Sequence, residues 1–102
     1  MRDVLPGDVV SVARLLLAVS GEERAQCCRR IMLQAEAAHQ YFNRFGKSHP
    51  MWGNGSLCSA VARFHLPPEP SFSDREYRRC HLVVLNELEG HCLSPKPSRA
   101  PE

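Results

Sequence analysis

Between Ser20 and Gly46 the apolar residues return at steps of three and four: Cys28, Ile31, Met32, Ala35, Ala38, His39, Phe42 and Phe45. That spacing lines one face of an α-helix, and Glu22, Arg29, Arg30, Glu36, Gln40 and Asn43 fall largely outside it. The run predicts a helix of about 25 residues, roughly 37 Å long at 1.5 Å per residue. It would be the longest element of the chain, with the others packed along it. In SGEE, Ser20 and Glu23 read as a capping box that opens this helix, each side chain accepting from the other's backbone N–H. Gly46 reads as its left-handed stop.

Three shorter helices flank it. Leu5 to Val19 carries Val9, Val12, Ala13, Leu16 and Val19 on one face, with Pro6 suited to the first turn, where a missing N–H costs nothing. Ser56 to Phe64 offers a short third helix, with Leu57, Val61 and Phe64 on its apolar side and Asn54 or Ser56 as N-cap. The prolines of LPPEP, Leu66 to Pro70, remove backbone donors and make a stiff connector. SDRE, Ser73 to Glu76, reads as a second capping box, and Tyr77, His81, Val84, Leu85 and Leu88 as the stripe of a fourth helix ending near Gly90. No alternating, β-branched run announces a sheet. The expected fold is all-α, a small irregular four-helix bundle with a long second helix. The short link between the first two helices favours an antiparallel hairpin. Residues 1–92 form the expected single domain, and 93–102 a flexible C-terminal tail.

At 102 residues, the chain is long enough for about one core. With 43% hydrophobic and 24% charged residues it has the composition of a globular protein rather than a disordered one. The apolar run Leu15–Val19 is far shorter than the roughly 20 residues a membrane helix needs. LLLAVSG superficially resembles a signal-peptide core, but Asp3, Asp8 and Arg14 put charges of the wrong kind around and inside it. Five cysteines, two of them adjacent at Cys27 and Cys28, do not make a secreted disulfide framework. Reduced thiols in the cytoplasm are expected. A net charge of +2, with cations interleaved among acids, does not by itself call for a polyanion. Nucleic acid is an unsupported partner.

The passage FGKSHPMWGNGSL, Phe45 to Leu57, stands apart from the helical pattern. Its GKS is not a phosphate loop, because Tyr41 stands where that pattern needs its first glycine and the tripeptide follows a helix instead of opening one. Gly53-Asn54-Gly55-Ser56 can turn the backbone sharply and aim N–H groups at the start of the third helix outward, where Lys47 and His49 would add charge for an anion. The plainer reading is a cap on that helix, with glycines that let the backbone approach Trp52. Trp52 itself reads first as a core plug and second as an interface anchor.

Other chemistry finds little support. No CxxC, HxxxH or HExxH occurs, and in Cys80-His81 and His91-Cys92 adjacent residues on a helix point about 100° apart. Cys58 and His65 share a helical face but stand about 10 Å apart along the axis, too far for a thiol and its base. Cys28, Cys58 and Cys80 are expected as small core thiols, His39 and His81 as packed histidines. Arg29-Arg30 and Arg78-Arg79 lie beside acids and read as solvated faces. No catalytic residue, cofactor or metal site is expected.

The turn HPMWGNGSL, followed some dozen residues later by PPEPSFSDREY, resembles a small uncharacterised bacterial family of short helical chains. The likeness spans most of Met1 to Glu89 and is most specific in those two segments. It implies a freestanding bacterial cytoplasmic domain and assigns no activity. The functional expectation is therefore a non-enzymatic interaction module that self-associates, as a homodimer, or docks on a protein partner. Its candidate contact residues are Lys47, His49, Trp52, Asn54, Gly55 and Ser56. The alternative is anion or nucleic-acid binding through the N-terminus of the third helix.

Overall fold

The computed structural model describes residues 1–91; the expected tail, and Cys92 with it, lie outside the described residues. Among the described residues four helices follow one another: α1 Pro6–Leu17, α2 Arg24–Phe45, α3 Leu57–Val61 and α4 Arg75–Gly90, with a 3-10 turn at Gly21–Glu23 before α2. Among the described residues β pairing is confined to one isolated bridge, His49 with Gly53. The fold is all-α, as the periodicity requires.

α1, not α2, occupies the centre. Its contacts run mainly to α4 and α3, and its contact with α2, the next helix in the chain, is the smallest of its three. The expected α1–α2 hairpin therefore does not form. The reason lies in the composition of α1, where Val12, Ala13, Leu15 and Leu16 are buried and Val9 and Leu17 also pack against the core. A helix apolar nearly all round must be covered on several faces. The core is completed by Cys28, Ile31, Met32 and Ala35 of α2, Leu57, Ala60 and Val61 of α3, and Tyr77, Cys80 and Val84 of α4.

The predicted capping boxes are replaced by other contacts. Ser20 makes no side-chain cap, and the α1–α2 corner is tied by Arg24, whose Nε donates to the carbonyls of Leu16 at 2.9 Å and Val19 at 3.0 Å. The same guanidinium reaches Glu76 of α4 at 2.9 Å. A guanidinium can satisfy two carbonyls and a carboxylate together, which a serine hydroxyl cannot. α4 starts one residue later than expected, with Asp74 as the N-cap, accepting from the N–H of Tyr77 at 3.0 Å.

Gly46 does stop α2, at φ 73°, and its N–H donates to Phe42 O. α3 is shorter than expected, and Phe64 lies beyond its end, exposed beneath the Arg63 guanidinium at 4.3 Å. Cys58 is exposed instead of buried, because Leu57, Ala60 and Val61 form the inward face of so short a helix. On α4, Leu85 is 48% exposed while Cys80 takes the buried position.

The proline connector is held from both sides. Arg14 Nε donates to Pro67 O at 2.7 Å, and Tyr77 Oη donates to Glu69 at 2.8 Å. Tyr77 is the largest fully buried side chain, so it fills the role first read onto Trp52. Burial and the hydrogen bond to Glu69 push its phenol up to about 12.

Candidate functional site

Four residues beyond the end of α2, at His49, the chain folds back on itself. His49 N–H donates to Gly53 O at 2.8 Å and Gly53 N–H to His49 O at 3.2 Å, closing a loop with Pro50, Met51 and Trp52 at its tip. His49 also holds the loop from inside, because its Nδ1 accepts from the backbone N–H of Met51 at 3.0 Å and of Trp52 at 3.1 Å. His49-Pro50 thus opens a pinned turn, and one imidazole nitrogen stands in for a carbonyl acceptor.

Trp52 is half-buried and lies outside the core. Its ring stacks on His49, with centroids 4.8 Å apart and planes within 10°. The aromatic row continues through Tyr41, edge-on to His49 at 5.0 Å, to Phe45 at 4.7 Å from Tyr41, and Arg44 covers Phe45 at 5.5 Å. Met51 is 61% exposed and Phe45 54%, and Lys47 is exposed between them in the chain. The last turn of α2 and the loop therefore build one aromatic face. Trp52 is not the core plug, because a tip held by its own backbone bonds keeps the ring beside α2's end.

The second half of the passage is structural. Asn54 N–H donates to Ser59 Oγ at 3.1 Å, and Asn54 Oδ1 accepts from the N–H of Ser56 at 3.1 Å. Ser56 is the N-cap of α3, its Oγ accepting from Ser59 N–H at 3.1 Å. Gly55, at φ 107°, presses against α2: a Cβ there would stand 2.7 Å from His39 Cβ. At Gly53 a Cβ would stand 2.4 Å from Ser59 Cβ. The close approaches required of these glycines are to His39 and Ser59, not to Trp52.

The N-terminus of α3 already holds an anion, supplied by the chain. Asp8, 6% exposed, accepts from Cys58 N–H with Oδ1 and from Leu5 N–H with Oδ2, each at 2.9 Å. Of the backbone donors there, the Ser56, Cys58 and Ser59 amides are taken by Asn54, Asp8 and Ser56. Arg2 completes the join, its Nε donating to Asn54 O at 2.7 Å, its N–H to Gly55 O at 2.9 Å, and its guanidinium lying 4.8 Å over Phe42. The Met1 ammonium pairs with Glu36 and holds that carboxyl below its ordinary range.

Asn54 and Ser56 also line a cleft of about 710 Å³ with Met1, Arg2, Asp3, Leu5, Asp8 and His39. Lys47, His49 and Trp52 belong to the aromatic face instead, so the six candidates divide between two places. A third surface feature was not anticipated: an apolar groove of about 580 Å³ where Val4, Leu5, Pro6, Val9 and Val10 face Phe72, His81, Leu85 and Leu88. His81 sits edge-on to Tyr77 and Phe72, its Nε2 is buried without a partner, and burial holds its pKa below the ordinary value.

Sequence reasoning passed over Asp8 and Arg2. The available signal was Asp8 itself, an acid three residues after Leu5, in the position where a carboxylate can reach back to the start of α1. It also passed over a charge pattern. No Asp or Glu occurs between Glu36 and Glu69, an interval that carries Arg44, Lys47 and Arg63.

No curated protein and no solved structure matches the chain. A family model does, over residues 2–88, nearly the whole of the described fold. The chain belongs to the family described as Domain of unknown function (DUF7742).

Proposed function

We propose that the protein works by contact, as a non-enzymatic helical module that docks on a protein partner through the Trp52 turn. The observation that carries this reading is the position of Trp52, outside the core and stacked on His49 beside exposed Phe45 and Met51. A tryptophan in the core of a small domain is accounted for by stability. One held at the tip of a pinned loop among other aromatics has the composition of an interface anchor. A bacterial, cytoplasmic setting belongs to the same proposal. A second copy of the chain is the competing occupant of this face. The anion reading is the weaker one, because the Ser56, Cys58 and Ser59 amides at the start of α3 already serve Asn54, Asp8 and Ser56.

The test is a photo-crosslinking amino acid at Met51, with the same group at Arg29 as a control far along α2. In cells, a discrete heterologous adduct from Met51 alone is expected. Adducts of equal pattern from both positions would sink the reading. A crosslinked homodimer, with dimers in light scattering of the purified protein, would replace the partner by a second copy.

A further inference from the structure

We propose that the aromatic face of Tyr41, Phe45, His49 and Trp52 takes an acidic polypeptide segment anchored by an apolar side chain. This rests on the docking reading above and adds the chemistry of the partner.

Two observations converge on it. The first is the face itself. Tyr41, Phe45, His49 and Trp52 form one continuous row at centroid spacings of 4.7 to 5.0 Å, with Met51 exposed beside it. Flat rings and a flexible thioether offer a large contact area at small entropic cost, which suits an inserted Leu or Phe. The second is the sign of the charge around it. The interval from Ala37 to Pro68 contains Arg44, Lys47 and Arg63 and no carboxylate, a local net charge of +3. Of these, Arg44 and Lys47 are exposed at the face itself, whereas Arg63 is held at Gln34, Ala60 O and Phe64. Where the N-terminal segment meets this turn, Glu36 is paired with the Met1 ammonium, and Asp8 is buried with both oxygens accepting backbone N–H bonds. Complementary charge of this kind raises the rate of encounter and suppresses basic partners.

An aromatic row with cations also describes a single-stranded nucleic-acid platform. The stacking already present argues for a peptide. Trp52 and His49 lie face to face, so the ring surfaces that would receive successive bases are partly covered by each other.

The experiment uses the full chain and fluorescein-labelled peptides of repeated Glu-Glu-Leu-Phe, with Gln-for-Glu and Lys-for-Glu counterparts and a short oligo-dT. Anisotropy measures binding, and Trp52, the only tryptophan, reports from the face itself. The Glu peptide is expected to bind and shift Trp52 emission, to weaken by about tenfold between about 50 and 500 mM salt, and to weaken comparably in the Arg44→Glu/Lys47→Glu double variant. Both charged positions are exposed, and circular dichroism checks that the variant keeps its helices. The Lys peptide is expected not to bind. Equal affinity for the Gln peptide overturns the charge assignment and leaves the docking reading standing. Tighter binding of oligo-dT overturns it in favour of nucleic acid. Binding that leaves Trp52 emission unchanged moves the site elsewhere and overturns both. If no peptide binds while the Met51 crosslink forms, the partner chemistry assigned here is wrong and the face is right.

Discussion

The Asp8 carboxylate joins Leu5 and Cys58, 53 residues apart, by accepting one backbone N–H from each at 2.9 Å. One oxygen closes the start of α1 and the other the start of α3, so a single buried side chain sets the distance between two helices. Hydrogen bonds to an ionised acceptor are among the stronger ones, and a buried donor left without its partner is costly. Asp8→Ala is expected to destabilise the protein by about 2–4 kcal/mol in urea denaturation. Asp8→Asn should lie between, because the amide keeps one acceptor and turns an NH₂ toward the other N–H. A loss below about 0.5 kcal/mol for Asp8→Ala would show that water replaces the carboxylate at no cost.

Gly55 and Gly46 share a positive φ but not a neighbourhood. At Gly46 a Cβ would meet open space, whereas at Gly55 it would collide with His39. Gly46→Ala should therefore cost only the backbone strain, about 1 kcal/mol. Gly55→Ala adds overpacking against α2, for about 2–4 kcal/mol in all. Equal losses at the two positions would mean that His39 moves aside freely.

Tyr77 and Trp52 should exchange the roles that their sizes suggest. Tyr77→Ala empties a fully buried site and is expected to cost about 3–5 kcal/mol. Trp52→Ala removes a half-buried ring and its stack on His49, for about 1 kcal/mol. Thermal and urea unfolding of the two variants side by side measures the difference, and a larger loss at Trp52 would place the ring in the core after all.

Tyr77 and His81 also set a pH dependence at both ends. Folding raises the Tyr77 phenol from 10.0 to about 12, so between those values the native state holds a proton that the unfolded chain has lost. Stability must fall as pH rises through that window, and Cys28, raised to about 12 by burial, falls in the same sense. His81 runs the other way. Burial lowers its pKa from 6.5, so the unfolded chain binds the proton first and stability falls as pH drops below that value. Urea midpoints across pH should flatten on the alkaline side in Tyr77→Phe and on the acid side in His81→Gln, each compared with its own midpoint at pH 8.

Thiol labelling distinguishes the cysteines by depth. Cys58 is exposed, with Ser11 Oγ donating to its sulfur at 3.5 Å, whereas Cys28 and Cys80 are buried and their pKa values raised by that burial. In a Cys92→Ala background, an aromatic disulfide reagent should modify Cys58 first, and Cys28 and Cys80 only after unfolding. Early modification of Cys80 would show that α4 opens locally.

What could be read from the sequence was whatever repeats along a helix. The span of α2, its end at Gly46 and the extent of α4 follow from spacing and from glycine's freedom at positive φ. What could not be read depends on residues distant in the chain. Ser20 and Glu23 have the form of a cap, but Arg24 reaches the same corner with more donors and also binds Glu76. The candidate site shows the same division. Asn54, Gly55 and Ser56 stand out as turn residues, whereas Arg2 and His39, which complete the turn from two other segments, carry no local mark of it, and Asp8 is marked only as an acid three residues after Leu5. Trp52 was misread because size alone suggests burial, and the bonds that hold it out run between His49 and Gly53.

Those bonds bear on how a partner would be captured. With His49 acting as an internal acceptor and the loop closed at both ends, the aromatic tip is held in place before any encounter. Recognition would then require little new ordering of the loop, so more of the contact energy remains as affinity. His49→Ala would keep most of the contact surface yet loosen its presentation, trading a fixed template for a fluctuating one.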